Sequence, residues 1–133
     1  TAGWPQRPGF ASTRELLVAD RGGDVDLRAM PAEAVEACRR AWRALPAGSA
    51  VVHGDPCGAN VRVSEAGIGF LDWDEARVDH PDLDLADLPG VELPGPRNRG
   101  ARAAVNAWEA AAGWQLEPAY ARRRLAELGS SYA

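Results

Sequence analysis

The sequence predicts an α+β domain, mainly helical, on three observations. Apolar residues recur at helical spacing along three stretches, Ala34 to Leu45, Ala101 to Ala112 and Ala121 to Leu128. Short apolar runs of strand length, Val51-Val52, Val61-Arg62-Val63 and Ile68-Gly69-Phe70-Leu71, lie in the middle of the chain. Glu65-Ala66-Gly67 separates the last two runs and reads as a hairpin turn. At 133 residues the chain is one domain, long enough for a real core.

Residues 1 to 31 are rich in Gly, Pro and Arg, and one short helix is expected there, from Thr13 to Ala19 with Ser12 as its N-cap. Pro31 opens the next helix, because the N–H it lacks is one the first turn leaves unbonded anyway. That helix runs to about Leu45, and its apolar set, Ala34, Cys38, Ala41, Trp42 and Leu45, is expected to pack under the loop that follows Val52. Residues 89 to 100 hold closely spaced prolines and read as a loop. A helix follows with Ala101, Ala104, Val105, Trp108, Ala111 and Ala112 on one side and Gly113 as its stop. Pro118 starts the last helix, with Ala121, Leu125 and Leu128 toward the core and Arg122, Arg123 and Arg124 directed elsewhere. Trp42, Trp108 and Trp114 fall at or beside this helical spacing and are expected in the core.

All 15 basic residues are arginine, and 19 acids leave a net charge of −4. That balance, with no basic stripe around the Arg122–Arg124 cluster, argues against a nucleic-acid partner. No apolar run nears the roughly 18 residues of a membrane span, so no membrane association is expected. With two cysteines and no secretion signal, a disulfide framework is not expected and a cytoplasmic location is the default. Cys38 reads as a small buried hydrophobe and Cys57 as a loop thiol.

The chemistry concentrates in His53-Gly54-Asp55-Pro56-Cys57-Gly58-Ala59-Asn60 and Leu71-Asp72-Trp73-Asp74. Asp55 stands five residues before Asn60, and Asp72 follows twelve further on, at the end of an apolar run. Phosphoryl transfer needs these three oxygen-bearing roles: a carboxylate to orient a hydroxyl and accept its proton, and two ligands for magnesium. Magnesium is small and hard, with oxygens at roughly 2.0–2.1 Å, and usually takes only one or two protein ligands beside phosphate. An asparagine carbonyl donates without adding charge, so the metal keeps its positive charge for the phosphates. Asp55 before Pro56 also fits an ordinary Asx turn, and it is the strands and the second acidic turn that favour a site. A calcium loop starting at Asp72 would lack both the sixth-position glycine and the bidentate glutamate, since Leu83 falls at its twelfth position. His53, His80, Cys38 and Cys57 lack zinc-site spacing.

In these residues the chain resembles the aminoglycoside phosphotransferase and choline kinase-like family, whose signature is H-G-D-x-x-x-x-N, a hydrophobic strand pair and D-W-[DE]. The likeness continues from Asp74 to Ala86, where the family has a proline and then D-L-A opening a helix. It implies a protein kinase-like C-terminal lobe whose small β-hairpin carries the catalytic and metal loops, with residues 1–133 forming that lobe and the N-terminal nucleotide lobe absent. It also implies an ATP-dependent phosphotransferase that uses Mg2+ and passes the γ-phosphate to a hydroxyl of a small molecule such as an aminoglycoside. By the same resemblance, Asp55 is the catalytic base and Asn60 and Asp72 are the metal ligands. His53 packs and hydrogen-bonds under the loop, Trp73 wedges beneath the metal loop, and Asp84 braces the catalytic-loop backbone, with helix capping as its plain alternative. Asp74 and Glu75 are candidates to meet a cationic substrate, although the acids of residues 72 to 87 form a solvated face by default.

Kinases of this class position phosphates with a strand lysine and a covering N-terminal lobe, and this chain has no lysine. The chain alone is therefore expected to be catalytically silent, as a C-lobe fragment or truncated product. The alternative function is a non-catalytic kinase-like lobe that binds a partner through the same cleft. Pro56-Cys57-Gly58-Ala59 displaces the family's usual glycine by one position, which would strain Ala59 if that position required positive φ. A cleft floor left open around Val61, Val63, Ile68 and Phe70, beside an unpaired hairpin edge, is expected to form a homodimer.

Overall fold

A computed structural model describes residues 9–130; of the Gly/Pro-rich opening stretch, residues 1–8 lie outside the described residues. The order is α1 (Thr13–Val18), β1 (Arg21–Gly22), β2 (Val25–Asp26), α2 (Ala32–Arg43), β3 (Ala50–Val52), β4 (Val61–Ser64), β5 (Gly67–Phe70), β6 (Arg77–Asp79), α3 (Asp82–Leu85), α4 (Gly95–Gly113) and α5 (Pro118–Ser130). The fold is thus α+β, and its strands form three two-stranded antiparallel pairs, β1–β2, β3–β6 and β4–β5.

α4 is the centre of the molecule, with α2 and α5 as its main partners and α1 against α2. Its buried face is built from Ala101, Ala103, Ala104, Ala107, Ala110 and Ala111, small enough for neighbouring backbones to approach closely. Val105 and Trp108 are the larger buried side chains of α4, and others come from its neighbours: Leu16 and Leu27 from the N-terminal segment, Trp42 from α2 and Leu128 from α5. Trp42 donates its indole N–H to the Ala104 carbonyl at 3.2 Å, and Trp108 donates to Ala11 at 2.9 Å, so both indoles are buried without an orphaned donor. Cys38 is fully buried, and desolvation pushes its thiol up to about 12.

α1 is held by a capping box, in which the Ser12 hydroxyl accepts from the Glu15 N–H and the Glu15 carboxylate accepts from the Ser12 N–H. Several elements differ from the sequence expectation. α4 begins at Gly95, inside the stretch read as a loop: Pro94 is its N-cap and Pro96 lies in the first turn, where a missing N–H breaks no bond. Pro31 likewise caps α2 from outside, and α2 lies chiefly on α4, not beneath the loop after Val52. β1, β2 and β6 are too short to carry an alternating pattern and went unpredicted. Trp114 is the C-cap of α4 and only partly buried, donating to the Ala29 carbonyl at 2.9 Å. Arg124 does not point away into solvent; it is paired with Glu109 and Glu127. Among the described residues, no helix is long and apolar enough to cross a membrane.

Candidate active site

β3 delivers the chain into residues 53–60, and Asp84 on α3 fixes the start of that segment. Its two carboxylate oxygens accept from the backbone N–H groups of His53, at 2.6 Å, and Gly54, at 2.9 Å. Both oxygens are occupied by this loop, so Asp84 is a brace and not a cap of its own helix. Gly54 has φ +98, and a Cβ there would come within 2.7 Å of the Glu75 backbone oxygen. Conformation and space therefore both demand glycine at this position. The His53 ring is a second clamp: Nδ1 accepts from the Asp55 N–H at 3.2 Å, and Nε2 donates to the Leu71 carbonyl at 2.7 Å. That bond ties the loop to the exit of β5, and Leu71 in turn donates its N–H to the Asn60 carbonyl at 2.8 Å.

These ties bring the three candidate oxygen donors to one place. Asn60 donates its Nδ2 to the Asp55 carbonyl at 3.0 Å and to the Asp55 carboxylate at 3.1 Å, while its amide oxygen has no bond among the described residues. Asp72 follows β5, is exposed, and has φ +59, the one positive value among the described non-glycine residues. Its carboxylate has no protein partner among the described residues. One unbonded amide oxygen and one unpaired carboxylate are hard oxygen donors in the small number magnesium takes beside phosphates, so the residues present fit that ion. Among the described residues no cluster of three or more His, Cys, Asp or Glu forms a self-sufficient metal site. Residues 58 to 60 form a short helical turn without positive φ, so Ala59 is unstrained and the displaced glycine costs nothing. The strain falls on Asp72 instead. Trp73 is not wedged out of sight: it is 48% exposed, packs at a tilt against the His53 ring with 4.6 Å between centroids, and donates its indole N–H to the Phe70 carbonyl.

Asp55 also faces a cavity of about 280 Å³ walled by Phe10, Glu75, Trp108, Glu109 and Tyr120. Four carboxylates line this cavity, Asp55, Glu75, Glu109 and Glu117, and burial acts on two of them. Burial pushes the Glu75 carboxyl up to about 7, and the charges of Asp55, Glu109 and Asp72 push the same way against the attraction of Arg77. Glu109 is also raised, chiefly by burial, although Arg124 pairs with it. Tyr120 goes up to about 12 through burial and the neighbouring Glu109 charge. Glu75 has no hydrogen-bond partner for its carboxylate among the described residues, whereas exposed Asp74 is not on this wall. Beneath the wall, Arg77 lies 3.6 Å from the Trp108 ring centroid, donates to the Glu75 carbonyl at 3.1 Å and pairs with buried Asp79 at 2.9 Å. Asp79 also accepts from the N–H and hydroxyl of Thr13, which pins α1 under the site.

Sequence reading misses Glu109, Tyr120, Arg77 and Asp79. The available signal was Glu109 itself, a single acid in the alanine-rich stretch that forms α4. Against known proteins, the model of the phosphotransferase enzyme family matches residues 2–127. With the match covering nearly the whole chain, the protein belongs to the phosphotransferase enzyme family. No curated protein and no solved structure matches the chain.

Proposed function

We propose that the chain is the C-terminal lobe of a protein kinase-like phosphotransferase that moves the γ-phosphate of ATP to a hydroxyl on a small, amine-bearing molecule. The observation that carries this reading is the Asn60 amide bonded to the Asp55 carboxylate, which puts a base and a metal ligand in one hydrogen-bonded unit. Asp55 accepts the acceptor's hydroxyl proton as its oxygen attacks phosphorus, and the brace from Asp84 holds that carboxylate's backbone in place. Asn60 and Asp72 hold magnesium, which neutralises charge on the phosphates when bound. The acid wall supports an amine on the acceptor: Glu75, unpaired and half-buried, gains a counter-charge when an ammonium enters. A nucleotide-binding lobe over the exposed face of β4 and β5 completes the site and supplies the phosphate-positioning lysine, a residue type missing from this chain, whose basic residues are all arginine.

The test is magnesium-dependent ATP consumption with amino-alcohol acceptors by protein that carries a nucleotide lobe together with this chain. Asp55→Asn and Asp72→Ala should each lower kcat by about a thousandfold or more, with an unchanged circular dichroism spectrum. Turnover that persists in Asp55→Asn would remove the base assignment. A nucleotide-bound structure with Asp72 turned away from every metal would remove the ligand assignment.

A further inference from the structure

A second cavity, of about 420 Å³, opens between α1 and the end of α2. It is reached from the end of the β3–β6 pair where Ala50 faces Asp79; the catalytic loop leaves from the other end, beyond Val52 and Arg77. Leu17, Trp42, Leu45 and Pro46 give it an apolar lining. None of its lining residues is acidic, and the nearest buried acid, Asp79, is already taken up by Thr13, Arg77 and the His80 N–H.

Two donors remain open there. His80 is only 4% exposed; its Nδ1 accepts from the Asp82 N–H at 3.1 Å, so Nε2 carries the ring's N–H, and no described residue accepts it. Gly48 keeps that edge clear, because a Cβ at Gly48 would come within 2.9 Å of Nε2. At the rim, Arg14 is exposed and has no ion-pair partner among the described residues, while Arg43 on the opposite side is engaged by Glu36 at 2.7 Å. An unpartnered ring N–H at the cavity wall and a free guanidinium over an apolar floor match a planar, singly charged anion with an apolar body. A phosphate dianion would lose more hydration than these two donors return.

We infer that this groove is a binding site for a small aromatic or aliphatic carboxylate, held by the His80 Nε2–H and Arg14 and separate from the Asp55 site. The inference does not depend on the phosphotransferase reading. Benzoate titrated into 15N-labelled protein should shift the Gly48 amide and Trp42 indole resonances saturably. Benzyl alcohol, which has the body without the charge, and inorganic phosphate, which has charge without the body, should each bind at least about tenfold more weakly. Arg14→Glu, at an exposed position, should weaken benzoate by about tenfold or more with the rest of the spectrum unchanged, and Ala47→Trp should block the groove. Absence of saturable shifts at tens of millimolar benzoate would overturn the site. Equal binding of benzyl alcohol would make it a plain apolar cleft, equal binding of phosphate a plain cationic rim, and unchanged benzoate affinity in Arg14→Glu would remove the guanidinium; each of these also overturns it.

Discussion

Asp72 holds a backbone conformation that disfavours any L-residue with a Cβ. Its replacement separates conformation from chemistry: Asp72→Gly should raise unfolding free energy by roughly 1 kcal/mol, while Asp72→Ala should lower it, and neither should bind magnesium with nucleotide. Matched melting curves of the two variants check this, and a less stable glycine variant would refute the strain. Glu75 gives a pH-dependent counterpart. Its carboxyl ionises at 4.5 when unconstrained and at about 7 in the fold, so the folded state binds the extra proton between those values. Stability from this group is therefore greatest below pH 4.5, declines as pH rises toward 7 and is fully lost above it. Glu75→Gln should accordingly stabilise the protein at pH 8 by roughly 2–3 kcal/mol and do little at pH 4. An equal effect at both values would show that the carboxyl is not desolvated. The three oxygen-bearing residues were legible because their spacing is enforced by a local loop and hairpin. Glu109 and Tyr120 were not, since they reach the same cavity from α4 and α5 through tertiary packing alone.

At the scale of elements, α3 matters more than its four residues suggest, because Asp84 is the only described side chain bonded to the N–H groups of both His53 and Gly54. Asp84→Ala strands both donors and should cost about 2–4 kcal/mol, with faster hydrogen exchange at those two amides. Asp84→Asn keeps one acceptor oxygen and should fall between the two. Slow exchange retained in Asp84→Ala would mean that the loop holds itself. Strands β4 and β5 were readable because a short turn joins them, with Val61 facing Phe70 and Ser64 facing Gly67. β6 was not, since its partner β3 lies some 25 positions earlier and its three residues alternate charged and apolar for reasons of ion pairing. The early start of α4 was hidden by its prolines, yet Arg97 on that first turn grips buried Asp82 through two bonds of 2.7 and 2.5 Å. That pairing holds the Asp82 carboxyl below its ordinary range.

Across the whole molecule, the hairpin face is the least finished surface. Val63 is 76% and Ile68 68% exposed, with Leu71 and Trp73 about half exposed beside them. A contiguous patch of this kind on a hairpin edge should drive self-association, seen by sedimentation equilibrium as dimer at tens of micromolar and reversed by Ile68→Lys. A strict monomer in the unmodified chain would show that the patch is tolerated in water. The ties between the two ends of the chain have a different consequence, which concerns time. Trp108 reaches back 97 positions to Ala11, and Thr13 holds Asp79 across 66. Closing such long loops is slow, so helices and the hairpin form early and the N-terminal segment docks late. During synthesis on the ribosome, Thr13 waits for Asp79 on β6 and Ala11 waits for Trp108 on α4, so the segment that carries them stays undocked until most of this domain has left the exit tunnel.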